Sequence, residues 1–122
     1  MVVSNRLPFR AERKDGRITF LRSSGGLVSA LAPVLRERGG VWIGWPGIGR
    51  EELAQSDDVV MPKDRNVRYE AVQLSAHEVA QYYAAFSNRT LWPLFHYFVS
   101  STRIGANSWR VYDAVNKRFA EQ

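Results

Sequence analysis

The sequence predicts an α/β fold containing a parallel strand pair, and three features carry that prediction. A β-branched run, Val2-Val3-Ser4, opens the chain; a helical pattern spans Leu27 to Arg38; and a second apolar run, Val41-Trp42-Ile43-Gly44-Trp45, follows directly. Two strands joined through a helix make a β-α-β unit, in which the crossover brings the second strand back parallel to the first. A chain of 122 residues suffices for one compact domain with its own core and is too short for two.

Taking the elements in order, the first strand gives way at Asn5 and Arg6 to Leu7-Pro8, where a loop is expected. Ile18 to Leu21 is a second extended run, and Asp15-Gly16 before it is a tight-turn pair, so a β-hairpin arm is expected between about Phe9 and Arg22. In the helix, Leu27, Ala30, Leu31, Val34 and Leu35 recur at helical spacing. Pro33 lies inside the pattern; it lacks an N–H and crowds the preceding turn, which predicts a kink or a split into two pieces. Gly39-Gly40 supplies the left-handed stop.

Glu51 to Asp58 is polar and gives no element, whereas Val67 to Leu74 alternates as a strand does. Ser75-Ala76-His77-Glu78 has capping-box spacing, and a helix is expected from Ala76 to about Phe86, interrupted at Ser87-Asn88-Arg89-Thr90. A dense aromatic segment, Leu91 to Phe98, comes next. A last helix, Asn107 to Glu121, carries Trp109, Tyr112, Val115 and Phe119 on one face that needs a partner surface.

Composition narrows the function classes. Apolar residues make up 45% and charged residues 24%, as in soluble globular proteins, and no apolar run approaches the ~20 residues of a membrane span. The start lacks the basic, apolar and small-residue succession of a secretory signal. With no cysteine there is neither a disulfide nor a thiolate metal site, which fits a cytoplasmic location, and two histidines are too few for a histidine-based metal cluster. Seventeen basic against twelve acidic residues leave a charge of +5, which favours anionic partners. The early basic cluster, Arg6, Arg10, Arg13, Lys14, Arg17 and Arg22, is broken by Glu12 and Asp15. A solvated face explains such a cluster more often than nucleic-acid binding does.

Four features could hold a ligand. Gly25-Gly26 at a helix start lets the backbone approach a phosphate while free amides and the helix dipole favour the anion, although such a pair is also an ordinary turn. Arg6 follows the first strand at the carboxyl edge, where parallel sheets place ligands; it is either a forked phosphate clamp or a surface arginine. Tyr83 and Trp92 are aromatic residues of the kind that pack on sugar faces, although such residues are more often core. His77 reads as a helix-surface residue and His96 as a hydrogen-bonded core histidine. No Ser-His-Asp set, catalytic carboxylate pair or metal-ligand spacing is present, so the residues alone point to an α/β domain for an anionic, phosphorylated ligand.

Five ordered blocks go further. Val2 to Pro8, Ser24 to Leu31, Trp42 to Gly47, Phe86-Ser87-Asn88-Arg89-Thr90-Leu91-Trp92-Pro93-Leu94-Phe95-His96-Tyr97, and the set Trp109, Tyr112, Val115, Asn116 and Phe119 resemble the trehalose-6-phosphate synthase family across essentially the whole chain. The resemblance implies a partial Rossmann-like amino-terminal domain of a two-domain, GT-B type glycosyltransferase, with residues 1–122 as the acceptor-binding part and a carboxyl-terminal nucleotide-sugar domain missing. The implied reaction transfers glucose from UDP-glucose to glucose 6-phosphate with retention of configuration and no cofactor. By position, Arg6 and Tyr83 contact glucose 6-phosphate, Trp92 shapes the acceptor pocket and selects the anomer, Trp42 lines it, and Gly25 and Gly26 close on UDP-glucose. Alone, the chain is expected to be inactive, because the basic residues that neutralise the diphosphate lie beyond Gln122. The alternatives are a non-catalytic sugar-phosphate-binding module and a related transferase with another acceptor. Neither nucleic acid nor membrane is an expected partner, and an oligomer is compatible with the sequence.

Overall fold

Where β1 (Val2–Arg6) ends, β4 (Gly40–Trp45) ends beside it, and this parallel edge organises the first of two units in the computed structural model. The structure describes residues 1–14, 16–56 and 59–122, without the side chains of Lys14 and Val60. One unit is formed by Met1–Gln73 with Gln122, the other by Leu74–Glu121.

In the first unit, β1, β4 and β6 (Val67–Ala71) form a parallel sheet in the order β1-β4-β6. The expected β-α-β unit is therefore present, with α1 (Gly26–Arg38) between β1 and β4 in the chain. A second sheet holds the expected hairpin, β2 (Phe9–Lys14) antiparallel to β3 (Arg17–Arg22), and adds β5 (Val59–Val60) parallel to β3. Asp15 of the expected turn lies outside the described residues; Gly16 takes a φ of 78°, a left-handed conformation that glycine adopts at no steric cost.

Pro33 does not split α1, which runs unbroken for 13 residues. Its ring is exposed, while Ala32 and Leu35 on either side are buried and pin the helix to the core, offsetting the lost hydrogen bond. The polar stretch after β4 contains one short helix, α2 (Arg50–Ala54), with Asp57 and Asp58 outside the described residues. Leu7, Phe9, Ile18, Phe20, Ala32, Leu35, Trp42, Ile48 and Val67 form one buried cluster, drawing on both sheets and α1. Phe9 meets Tyr69 edge to face at 4.7 Å, a geometry that adds about 1 kcal/mol to area burial. Asp64 ties β3, α1 and β6 together: it accepts from Arg22 at 2.6 Å and from the Tyr69 hydroxyl, with Arg36 at 3.8 Å.

The second unit is helical. Ser75 begins α3 (Ala76–Val79) with the expected capping box, its hydroxyl accepting from the Glu78 N–H and its own N–H donating to the Glu78 carboxylate. The interruption expected at Ser87 to Thr90 does not occur. From Ala80 to Leu91 the chain continues as a π-helix and passes into α4 (Trp92–Phe95). Polar residues that suggested a break are accommodated locally: Ser87 Oγ donates to the Tyr82 carbonyl and Thr90 Oγ1 to that of Arg103. α4 ends in a Schellman arrangement, Phe98 N–H to Pro93 C=O and Tyr97 N–H to Leu94 C=O, with Tyr97 at φ 63°. The last helix, α5 (Ala106–Ala120), finds its partner surface on the π-helix: Tyr82 stacks on Tyr112, and tilted ring contacts join Tyr82 to Phe119 and Phe86 to Tyr112 and Trp109. Arg118 of α5 donates to Glu78 at 2.8 Å. That guanidinium, helped by the Ser75 N–H, holds the Glu78 carboxyl down at about 2 despite burial.

Candidate functional site

Arg6 stands at the carboxyl tip of β1 with its guanidinium 4.8 Å from the centroid of the Trp45 ring. The contact is a cation–π pair that holds the guanidinium over the ring. Among the described residues no carboxylate pairs with Arg6, whereas Arg10, Arg22 and Arg118 each have one. An exposed guanidinium at the carboxyl end of a parallel sheet, with no carboxylate partner among the described residues, can take an anion in a forked pair.

The tip is held from below. Trp42 is buried, and its indole N–H donates to Ser4 Oγ at 2.9 Å; Ser4 in turn donates to the Arg6 carbonyl at 2.6 Å. Trp45 is fixed by its own indole N–H, which donates to the Ile48 carbonyl at 2.8 Å. Sequence reasoning singled out Trp42 and passed over Trp45, Ser4 and Gly44. Their signal lies in the pairing: in a parallel sheet the residue ending β1 must meet the residue ending β4, and Arg6 pairs with Trp45. Trp42 sits deeper, reaching Arg6 through Ser4 rather than by an exposed ring.

Gly25 and Gly26 begin α1. Gly25 is the cap residue with no side-chain cap bond, and the first turn contains no acidic residue, so its amides and the dipole's positive end face no internal anion. A Cβ added to either glycine would meet no atom within 4 Å. Among the described residues no atom requires glycine at either position.

In the second unit, Tyr83 and Trp92 are 37% and 52% exposed, while Tyr82, Phe86 and Thr90 are buried. Neither is the core residue that would be its other reading. Nine residues of α-helix are two and a half turns and would set the two rings on opposite faces. The segment between them is not α-helical throughout: Ala80 to Leu91 is a π-helix, which α4 continues from Trp92. His96 is exposed rather than core, because α4 ends there; it stacks on Trp92 at 4.2 Å, and its Nδ1 is 2.7 Å from the Trp92 carbonyl. His77 is on the helix surface as expected.

A cavity of about 320 Å³ lies elsewhere in the first unit, lined by Phe20, Pro46, Arg50, Leu53, Met61 and Ala71, and it includes none of the sequence-predicted site residues. Among the described residues, no group of three metal-ligating side chains occurs, and no helix is long and apolar enough to cross a membrane.

Comparison with known proteins gives these residues a context. Trehalose-6-phosphate synthase of Mycobacterium avium is 48% identical over 122 residues, covering 99% of this chain and 24% of the relative. A solved alpha,alpha-trehalose-phosphate synthase (UDP-forming) from Burkholderia xenovorans, in complex with glucose-6-phosphate, matches with a TM-score of 0.69 at 28% identity, over 99% of this chain and 24% of that one. An E. coli trehalose-6-phosphate structure bound with UDP-2-fluoro glucose matches with a TM-score of 0.71 at 30% identity, over 98% and 23%. The fold is thus the amino-terminal part of a GT-B glycosyltransferase, and the chain spans about a quarter of the length of the relatives it matches. The model of glycosyltransferase family 20 matches residues 1–122, and the chain belongs to that family.

Proposed function

We propose that this chain is the acceptor-recognising part of an alpha,alpha-trehalose-phosphate synthase, serving transfer of glucose from UDP-glucose to glucose 6-phosphate with retention. The observation that carries the reading is the Arg6 guanidinium, set over the Trp45 ring and without a carboxylate partner among the described residues, at the sheet edge where a phosphate is best received. A related structure is solved with glucose-6-phosphate and another with UDP-2-fluoro glucose, which fits an acceptor and a donor of those classes.

In this reading Arg6 takes the acceptor phosphate. Tyr83 and Trp92 contact the hexose, Tyr83 through its hydroxyl and Trp92 through its ring face, which also discriminates the anomer. Trp42 supports the tip of β1 through Ser4. Gly25 and Gly26 offer amides to the diphosphate of the donor. Transfer with retention needs no nucleophile from these residues: the acceptor hydroxyl attacks on the face the diphosphate leaves, and fixed positive groups stabilise the departing charge. This chain's share is orientation of the acceptor, and catalysis requires the remaining length of the family's chain. The reading further places the chain in the cytoplasm.

Calorimetric titration with glucose 6-phosphate tests it. Weak, saturable binding is expected, with none for glucose and at least a tenfold loss in Arg6→Ala, the worth of a charge-assisted bond of about 1.5–3 kcal/mol. Equal binding of glucose and glucose 6-phosphate would remove Arg6 from the phosphate.

A further inference from the structure

We infer that Gly44 is a positioning residue for Arg6: it makes room for a bulge in β1 that turns the guanidinium onto Trp45. The inference rests on the reading of Arg6 as the phosphate-binding group. Val2 pairs with Trp42 and Val3 with Ile43, so an even register would set Asn5 opposite Trp45; instead Arg6 is there, and β1 carries one extra residue between Val3 and Arg6. Side chains alternate along a strand, so one extra residue exchanges the faces of everything beyond it. The bulge therefore gives Arg6 the place Asn5 would have had, which is the face carrying the Trp45 ring.

The extra residue has to go somewhere, and it goes over Gly44. A Cβ at position 44 would lie 2.6 Å from Leu7 N, 2.7 Å from Arg6 C and 3.0 Å from Arg6 O. These are backbone atoms, and Leu7 N is committed to the Trp45 carbonyl at 2.9 Å. No rotamer can relieve the overlap. The Arg6–Leu7 peptide would have to move by roughly 1 Å to regain ordinary contact distances, carrying the guanidinium with it. Gly44 is held in turn by the Val72 N–H, which donates to its carbonyl at 2.9 Å, so β4 cannot retreat freely. A displacement of that size at a phosphate-binding group is enough to lose most of a forked contact.

The test is an NMR titration of the full chain with glucose 6-phosphate, comparing the parent with Gly44→Ala, Arg6→Ala and the double variant, with amide dispersion reporting that each is folded. Gly44→Ala is expected to bind about tenfold more weakly, and the double variant no more weakly than Arg6→Ala alone. A purely structural glycine would lower the denaturation midpoint and leave the affinity of the folded molecules unchanged; that result overturns the inference and leaves the phosphate reading standing. If Arg6→Ala binds like the parent, the phosphate reading itself falls and the inference with it. Should Gly44→Ala not fold, deletion of Asn5 decides: it restores an even register that still sets Arg6 opposite Trp45 and leaves no extra residue to lie over Gly44, so Gly44→Ala in the deletion variant is expected to fold with an unchanged denaturation midpoint. A Gly44→Ala variant that still does not fold without Asn5 overturns the proposal, because the glycine then serves the sheet and not the bulge.

Discussion

The Arg6 guanidinium lies over the Trp45 ring at 4.8 Å, the end of β1 meeting the end of β4 across a parallel pair. A flat cation on an aromatic face presents its edge donors in a fixed plane, which a lysine cannot reproduce. Arg6→Lys is therefore expected to retain the fold and to weaken glucose 6-phosphate binding by about three- to tenfold, measured by calorimetry, since one point charge replaces a two-pronged contact.

Glu78 joins the capping box of α3 to Arg118 of α5. Its carboxyl is held at about 2, below its ordinary 4.5, so the stability it contributes is fully present above pH 4.5 and is lost as pH falls toward 2. Glu78→Gln should lower stability by about 1 kcal/mol at neutral pH and flatten the acid limb of the unfolding profile over that window, followed by helical circular dichroism.

At the alkaline end, burial and the hydrogen bond to Asp64 push the Tyr69 phenol up from 10 to about 12. The linked stability is complete below pH 10 and declines from there through pH 12. Ultraviolet titration should find Tyr69 among the late-ionising tyrosines, beside Tyr82, which burial also raises, and Asp64→Asn should bring Tyr69 alone back toward the usual range. The Arg22 guanidinium and the Tyr69 hydroxyl hold Asp64 below its ordinary value, so the same variant also loses an acid-sensitive contribution.

Tyr97 is a tyrosine in a left-handed conformation, φ 63°, and is 93% exposed. At that position of a Schellman cap glycine is unstrained. Tyr97→Gly should raise stability by about 0.5–1 kcal/mol, read as a higher denaturant midpoint. A lower midpoint would mean that the ring makes a contact outweighing the strain.

The parallel pair, the hairpin, the capping box and the aromatic face of α5 were legible because each is written in local periodicity or turn chemistry. Pro33 misled because tertiary burial of Ala32 and Leu35 outweighs one absent hydrogen bond. Ser87 to Thr90 misled for a related reason: polar residues that commonly end helices here return their hydroxyls to backbone carbonyls while the winding loosens. The site was partly legible. Arg6 could be placed at a strand tip from sequence, but its aim depends on a one-residue bulge and on the empty side of Gly44, and strand register is a non-local property that no single segment encodes.

The central proposal is that Arg6 receives the phosphate of glucose 6-phosphate. NMR observation of the Arg6 side-chain N–H during titration of the chain with glucose 6-phosphate tests it most directly. The signal should shift along one saturable curve, and glucose alone should leave it unmoved. An Arg6 signal that stays still while other resonances respond to glucose 6-phosphate would contradict it.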